Sequence, residues 1–191
     1  NLTILAVVLV ALIAVSLLQK FSHRRATSRP AAASLLTTEL DRESLMRIAL
    51  GFGADSTAVV LERLPDGWVA RTAWNMAVSQ QRVDDLLKSL GDLAGEYRSG
   101  TADVLGDYGL QREQAVSIKL FGQDFQPVLD LLVGKQPMGQ VGNFVRRPGD
   151  ANVYLTRASL LVNLGLYSGP ARPATRHFLD LEAYKGVRED V

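Results

Sequence analysis

The chain has 191 residues, of which 47% are hydrophobic and 21% charged, and its formal net charge is +1. This composition is typical of a globular domain and not of a disordered chain. The absence of cysteine excludes disulfides, thiolate metal sites and thiol nucleophiles. Apart from a cluster of basic residues at 20–29, the chain shows no stripe of Lys and Arg, which argues against nucleic acid as a partner.

The first segment is apolar and carries no charge from Leu2 to Leu18. As a helix it would be roughly 25 Å long, close to the ~30 Å thickness of the hydrocarbon core of a bilayer. We therefore predict a transmembrane anchor at residues 1–19, with a signal peptide and a core helix as the alternatives. The residues expected to face lipid are Leu2, Ile4, Leu5, Val8, Leu9, Leu12, Ile13 and Leu17.

A basic juxtamembrane tether is predicted at residues 20–38, which are rich in Ser, Ala, Thr and Arg. Lys20, Arg24, Arg25 and Arg29 are expected to contact lipid headgroups. The prediction is thus a single-pass protein of the bacterial inner membrane, cytoplasmic or intracytoplasmic, with its globular domain on the periplasmic side. The visible positive charges taken alone favour the cytoplasmic side instead.

Residues 39–167 predict an α+β globular domain in which antiparallel hairpins carry two packing helices. In its first half, apolar runs at 45–50, 58–63 and 68–72 are separated by turn residues, which favours hairpins. Residues 79–97 then predict an amphipathic helix, because apolar side chains recur at steps of three and four. The positions on its apolar face are Val83, Leu86, Leu87, Leu90 and Leu93.

The second half follows a similar order. Val116, Ile118 and Leu120 alternate with Ser117 and Lys119, as in a half-buried strand. This strand opens a predicted four-stranded meander, and a short apolar helix at 158–167 closes it. The repeated order raises the alternative of an internal duplication. An extended C-terminal arm is predicted at residues 168–191.

Several short motifs resemble a bacterial family of domains of unknown function. They are Gly67-Trp68, Tyr108-Gly109-Leu110 and Val133-Gly134-Lys135, set among hairpins spanning roughly residues 40–165. Members of that family are membrane-anchored and often encoded beside permeases of the gliding-motility type of ABC exporter. The resemblance implies a small β-rich domain, usually outside the cytoplasm, without known catalytic residues.

Candidate chemistry is sparse along the chain. Gly51, Gly53 and Ser56 favour a plain turn over a phosphate loop, because a strand and not a helix is predicted to follow. His177, Asp180 and Glu182 form an incomplete set of metal ligands, so neither a metal nor another cofactor is predicted. The aromatic residues are expected in the core or in cross-strand pairs; they are Trp68, Trp74, Tyr97, Tyr108 and Phe121.

These features predict a non-enzymatic, single-span accessory subunit that docks onto and stabilises a larger integral-membrane complex, photosynthetic or respiratory. An extracytoplasmic partner of an ABC-type exporter is the alternative. The expected partners are subunits of that complex and the lipid bilayer, with no nucleic acid and no evident small-molecule substrate. The residues predicted to contact a partner are Met138, Val141, Phe178, Leu179, Leu181 and Tyr184.

Overall fold

A computed structural model describes residues 33–34, 40–91 and 93–183 of the chain. These residues form a small β-rich domain around one antiparallel sheet of ten strands. The strands are β1 (Ala33–Ser34), β2 (Arg47–Phe52), β3 (Asp55–Leu64), β4 (Gly67–Ala70), β5 (Met76–Ala77), β6 (Ala94–Ser99), β7 (Val116–Phe121), β8 (Pro127–Val133), β9 (Phe144–Arg146) and β10 (Val153–Thr156). The α-helices are α1 (Gln80–Gly91) and α2 (Leu160–Asn163), and short 3-10 helices cover Arg71–Ala73, Ala102–Val104 and Thr175–His177.

The strand order across the sheet is β1-β6-β10-β9-β8-β7-β2-β3-β4-β5. The run β2 to β5 is followed by α1, and the run β7 to β10 is followed by α2. The two runs join at the antiparallel pair of β2 and β7, where Ile48 lies opposite Leu120. From this central pair the sheet extends in both directions, so its middle is built from segments about 70 residues apart in sequence.

The main hydrophobic core lies between the sheet and the two helices. Alternate residues of the central strands point into it, among them Ile48, Leu50, Ile118 and Leu120, all fully buried. The opposite positions of the same strands, such as Lys119, lie on the other face, since successive side chains of a strand alternate. We call this second surface, which carries neither α1 nor α2, the helix-free face of the sheet.

The helix α1 confirms the predicted apolar stripe only in part. Its buried residues are Val83, Leu86, Leu87 and Leu90, and Asp84 and Asp85 are exposed. The helix ends at Gly91, however, and Ala94–Ser99 forms β6. Glycine disfavours continuation of a helix, and β6 is held by antiparallel pairing with β10. The prediction of a helix reaching residue 97 is therefore wrong.

The segment after α2 packs back against the first half of the domain. Phe178 is fully buried, and its carbonyl accepts a 2.8 Å hydrogen bond from the backbone N–H of Ser79. The N–H of Asp180 donates to the carbonyl of Ala77 at 3.0 Å, beside a β-bridge between Val78 and Leu179. This segment is therefore attached beside the end of β5 by an isolated β-bridge.

Two sequence predictions need correction. Within residues 33–34, 40–91 and 93–183, no helix combines the length and the apolar character needed to cross a bilayer. The predicted fold class, α+β with an N-terminal transmembrane helix, is wrong, because the described residues form mainly a sheet, with α1 and α2 as its two α-helices. The prediction of a single-pass inner-membrane protein is likewise not supported by the residues that the structure describes.

The predicted anchor at residues 1–19 lies outside the described residues, as do Lys20, Arg24, Arg25 and Arg29. Within the predicted tether, the short strand β1 pairs with β6, with Ala33 opposite Gly95.

Candidate functional site

Two exposed aromatic residues share an unusual backbone conformation. Among the described residues, only Trp74, Asn75 and Phe125 have a positive φ without being glycine, at 48°, 62° and 54°. A left-handed backbone costs an ordinary L-residue roughly 1–2 kcal/mol. Trp74 is 95% exposed and Phe125 is 47% exposed. The fold therefore holds two large apolar side chains in strained positions without burying them.

A row of charged side chains runs by direct contacts from Phe125 to Asn75, which follows Trp74 in the sequence. The guanidinium of Arg47 lies over the ring of Phe125, 4.5 Å from its centroid. Arg47 also reaches Glu62 at 3.4 Å, directly across the pair of β2 and β3. Glu62 in turn accepts two hydrogen bonds from Arg71. We call Phe125, Arg47, Glu62, Arg71 and Trp74 the charged row.

The turn that carries Trp74 is braced from several sides. Arg71 donates to the side-chain oxygen of Asn75 at 2.9 Å, and the N–H of Asn75 donates to the carbonyl of Ala70 at 3.0 Å. The hydroxyl of Thr72 lies 3.0 Å from that of Thr175, in the C-terminal segment. Bracing of this kind reduces the entropy that Trp74 would lose on binding a partner.

Electrostatics in the charged row favour the ionised form of Glu62. The hydrogen bonds from Arg71, followed by the charges of Arg71 and Arg47, lower the pKa of its carboxyl below the ordinary range, against an opposing effect of burial. The Nε of Arg47 is buried and has no hydrogen-bond partner. The row thus combines two guanidinium groups with one carboxylate and keeps a net positive charge.

A shallow depression of about 510 Å³ lies along this row, on the helix-free face, and its lining includes Arg47, Glu62 and Arg71. Arginine and tryptophan are the residue types most often responsible for binding energy at protein interfaces. The arrangement therefore suits contact with another macromolecule better than chemistry on a small substrate.

The residues predicted to contact a partner lie in different environments. Met138 and Val141, on the β8–β9 loop, are 100% and 68% exposed. Phe178 is in the core, so its side chain does not reach the surface. Leu179 is half-buried, Leu181 is 45% exposed, and Tyr184 lies outside the described residues. Of these residues, Phe178 and Leu179 belong to the main hydrophobic core, and Met138, Val141 and Leu181 do not.

The metal and phosphate candidates find no support in the described residues. No group of three His, Asp or Glu side chains there could hold a metal ion. His177 instead packs against Phe178 and lies with its Nε2 3.1 Å from the carbonyl of Asn163. Gly51 and Gly53 belong to the hairpin of β2 and β3, so no helix N-terminus follows them.

Trp74 is the residue that the sequence prediction misplaced. Its apolar character predicts burial, as found for Trp68, which is 5% exposed. The available signal is the following Asn75, because asparagine tolerates the left-handed conformation and marks sharp turns. Phe125 carries a comparable signal, since it lies in the turn between β7 and β8 beside Gln123 and Asp124.

Comparison with known proteins identifies a family but no individual relative. No curated protein and no solved structure shows significant similarity to the chain. One family model matches residues 68–165, about half of the chain, from within β4 to just past α2. The match includes Trp74 and Phe125. The chain belongs to the family described as Domain of unknown function (DUF4340).

Proposed function

We propose that the domain is a non-enzymatic accessory module that docks onto a larger protein complex through the charged row. The observation that carries this proposal is the exposure of Trp74, 95%, in a braced turn with a left-handed backbone. Strain that is retained at an exposed site is typical of positions kept for binding. The family itself assigns no activity.

The chemistry of the row specifies the kind of surface it would bind. Trp74 and Phe125 would each enter an apolar depression on the partner, because exposed aromatic side chains gain most when fully desolvated. Arg47, whose side chain is 38% exposed, would face a carboxylate. The partner is therefore a protein surface with an acidic group between two apolar depressions.

Two identities for the partner follow from the sequence. One is a photosynthetic or respiratory complex, for which the described residues offer no further support. The other is an ABC-type exporter, suggested by the resemblance of the hairpin motifs to proteins encoded beside such permeases. A recessed groove elsewhere on the domain favours the second, since a partner of a transporter would need a place for a small ligand.

The proposal is tested by isolating the full chain from its native cells with its bound proteins. Trp74→Gly and Phe125→Gly each remove an aromatic anchor and accommodate the positive φ. Leu181→Ala, at an exposed apolar residue outside the row, is the matched control. We expect both glycine variants to lose the same partner by at least tenfold, with the control unchanged. Co-purification of a permease and its ATPase would identify an exporter.

The isolated partner then allows a direct measurement. Trp74 fluorescence should shift to shorter wavelength when partner is added, because the indole leaves water, and the shift should be absent in Trp74→Gly. A partner that binds the wild type and both glycine variants equally would overturn the proposal.

A further inference from the structure

A groove of about 390 Å³ lies on the helix-free face and shares no lining residue with the depression along the charged row. Its floor is formed by side chains of three neighbouring strands, Ser117 and Lys119 on β7, Asp130 and Leu132 on β8, and Arg146 on β9. The β2–β3 turn, residues 102–112 and the β9–β10 turn form its walls. This volume is within the ~300–1,000 Å³ typical of small-molecule sites.

Arg146 in this floor is buried, with 9% exposure, and has no ion pair with a carboxylate among the described residues. Its Nε donates to the carbonyl of Leu110 at 2.9 Å, and its Nη1 donates to that of Asp150 at 3.1 Å. Its Nη2 donates to no described residue. Burial lowers the pKa of this guanidinium, partly offset by the charge of Asp150. Its charge is thus incompletely compensated.

Ser117 supplies a second unused polar group in the same floor. The residue is 8% exposed, and its hydroxyl forms no hydrogen bond with a described residue. It lies close to the backbone of β2, since a Cβ on Gly51 would come within 2.6 Å of its Oγ. Two side chains that are more than nine-tenths buried therefore present to one groove polar atoms that bond no described residue, beside the buried, unpartnered Oδ1 of Asp130.

The other charges of the groove leave it with a net positive charge. Lys119 pairs with Asp130 at 3.2 Å. The carboxylate of Asp150 accepts the N–H of Asn152 at 2.9 Å. Arg112 is exposed at the wall and completes a set of three cations against two carboxylates. An oxyanion would neutralise this excess and accept hydrogen bonds from a guanidinium and a hydroxyl.

We propose that this groove binds a small molecule through an oxyanion group, phosphate or carboxylate, held by Arg146, Ser117 and Arg112. The proposal does not depend on the charged row. Ser117 and Arg146 would contact the oxyanion directly, and Arg112 would close over it from the wall. The remaining volume, lined by Leu105 and Leu132, would accept an apolar part of the ligand.

The test uses the full chain with two probes, inorganic phosphate and citrate, against sodium chloride at equal ionic strength. Excluded salts stabilise most proteins, so we expect phosphate, citrate or both to raise the thermal midpoint of the wild type more than that of Arg112→Gln, because a ligand that binds only the folded state stabilises it. A response to phosphate alone would assign a phosphorylated ligand, and a response to citrate alone would assign a carboxylate. Equal midpoints in all three salts would overturn the proposal.

Substitutions of groove residues test whether the stabilising anion binds in the groove. Arg112→Gln and Ser117→Ala alter groove residues whose side chains form no hydrogen bond or ion pair with a described residue, so both should fold. Each should weaken binding of the responding anion by at least fivefold in isothermal calorimetry. Arg157→Gln removes an exposed arginine outside the groove and should bind as the wild type does. Equal weakening by all three variants, or by none, would mean that the anion binds elsewhere and would overturn the proposal.

Discussion

Arg71 holds the carboxylate of Glu62 with two hydrogen bonds, from Nε at 2.8 Å and from Nη2 at 3.0 Å. This geometry is the bidentate pairing that gives arginine its directional specificity. The third arm of the same guanidinium reaches Asn75, next to Trp74. The position of the exposed tryptophan is therefore linked to a carboxylate on β3.

We expect Glu62→Gln to loosen the Trp74 turn with a small loss of stability. An amide replaces the charged acceptor, so unfolding in urea should become easier by about 1 kcal/mol. Hydrogen exchange of the Asn75 amide should accelerate at the same time. Glu96→Gln is the matched control, because Glu96 pairs with Arg98 only two residues away on β6. Unchanged exchange at Asn75 in Glu62→Gln would contradict the bracing role.

The acid dependence of stability should also involve Glu62. Its pKa is lowered in the folded state, so its ionised form stabilises the fold at pH values above its ordinary pKa of about 4.3. That contribution should be lost as the pH falls through the lowered folded pKa. The stability difference between wild type and Glu62→Gln, measured in urea, should shrink below about pH 4 and stay constant from pH 5 to 7. A difference that grew on acidification would refute this assignment.

Trp74→Gly should unfold within roughly 1 kcal/mol of the wild type despite the loss of a large side chain. Release of the left-handed strain, worth about 1–2 kcal/mol, offsets the 0.5–1 kcal/mol that the freedom of glycine costs on folding. Trp68→Gly is the contrast, since it empties a buried site and should destabilise by about 3–5 kcal/mol or more. A similar loss in both variants would show that Trp74 is packed in solution.

The stability of the domain should fall as His177 becomes protonated. Burial first, and then the charge of Arg82, lower its pKa, against the opposing effect of the Asn163 carbonyl. The neutral ring is therefore favoured in the folded state, and its contribution to the free energy of unfolding is complete above the ordinary pKa of about 6.5. This contribution should be lost as the pH falls from about 6.5 through the lowered pKa of the folded state.

The measurement compares urea unfolding of wild type and His177→Gln at pH 7.5 and 5.5. Glutamine cannot be protonated in this range and retains a donor and an acceptor. The variant should show a smaller loss of stability at pH 5.5 than the wild type does. Equal losses would assign the pH effect to other groups.

Removal of Phe178 should detach the C-terminal segment from the sheet. The side chain is fully buried, so Phe178→Ala should destabilise the domain by about 3–5 kcal/mol. The amide of Ser79, which donates to the carbonyl of Phe178, should lose protection from hydrogen exchange. Leu181→Ala, at a 45% exposed residue, should change stability by less than about 1 kcal/mol. Retained protection of Ser79 would show that the segment docks without this anchor.

Local patterns in the sequence anticipated many of the elements. The alternation of Val116, Ile118 and Leu120 predicted β7, and the stripe at Val83, Leu86, Leu87 and Leu90 predicted the buried face of α1. Both follow from the fixed directions of successive side chains along a strand or a helix. The boundary at Gly91 was missed because the leucine stripe continues to Leu93, whereas β6 forms only when β10 is present to pair with it.

The sequence alone determined the individual strands, the apolar stripe of α1 and the turns between elements, because each depends on residues only a few positions apart. The pairing of β2 with β7, the burial of Phe178 against the first half of the domain and the exposure of Trp74 were decided by the tertiary structure. The same holds for the groove, whose Ser117 and Arg146 lie on separate strands and share an environment only within the sheet. Such juxtapositions arise from contacts between segments distant in sequence. The local alternation of apolar residues does not specify which strands pair or in what register.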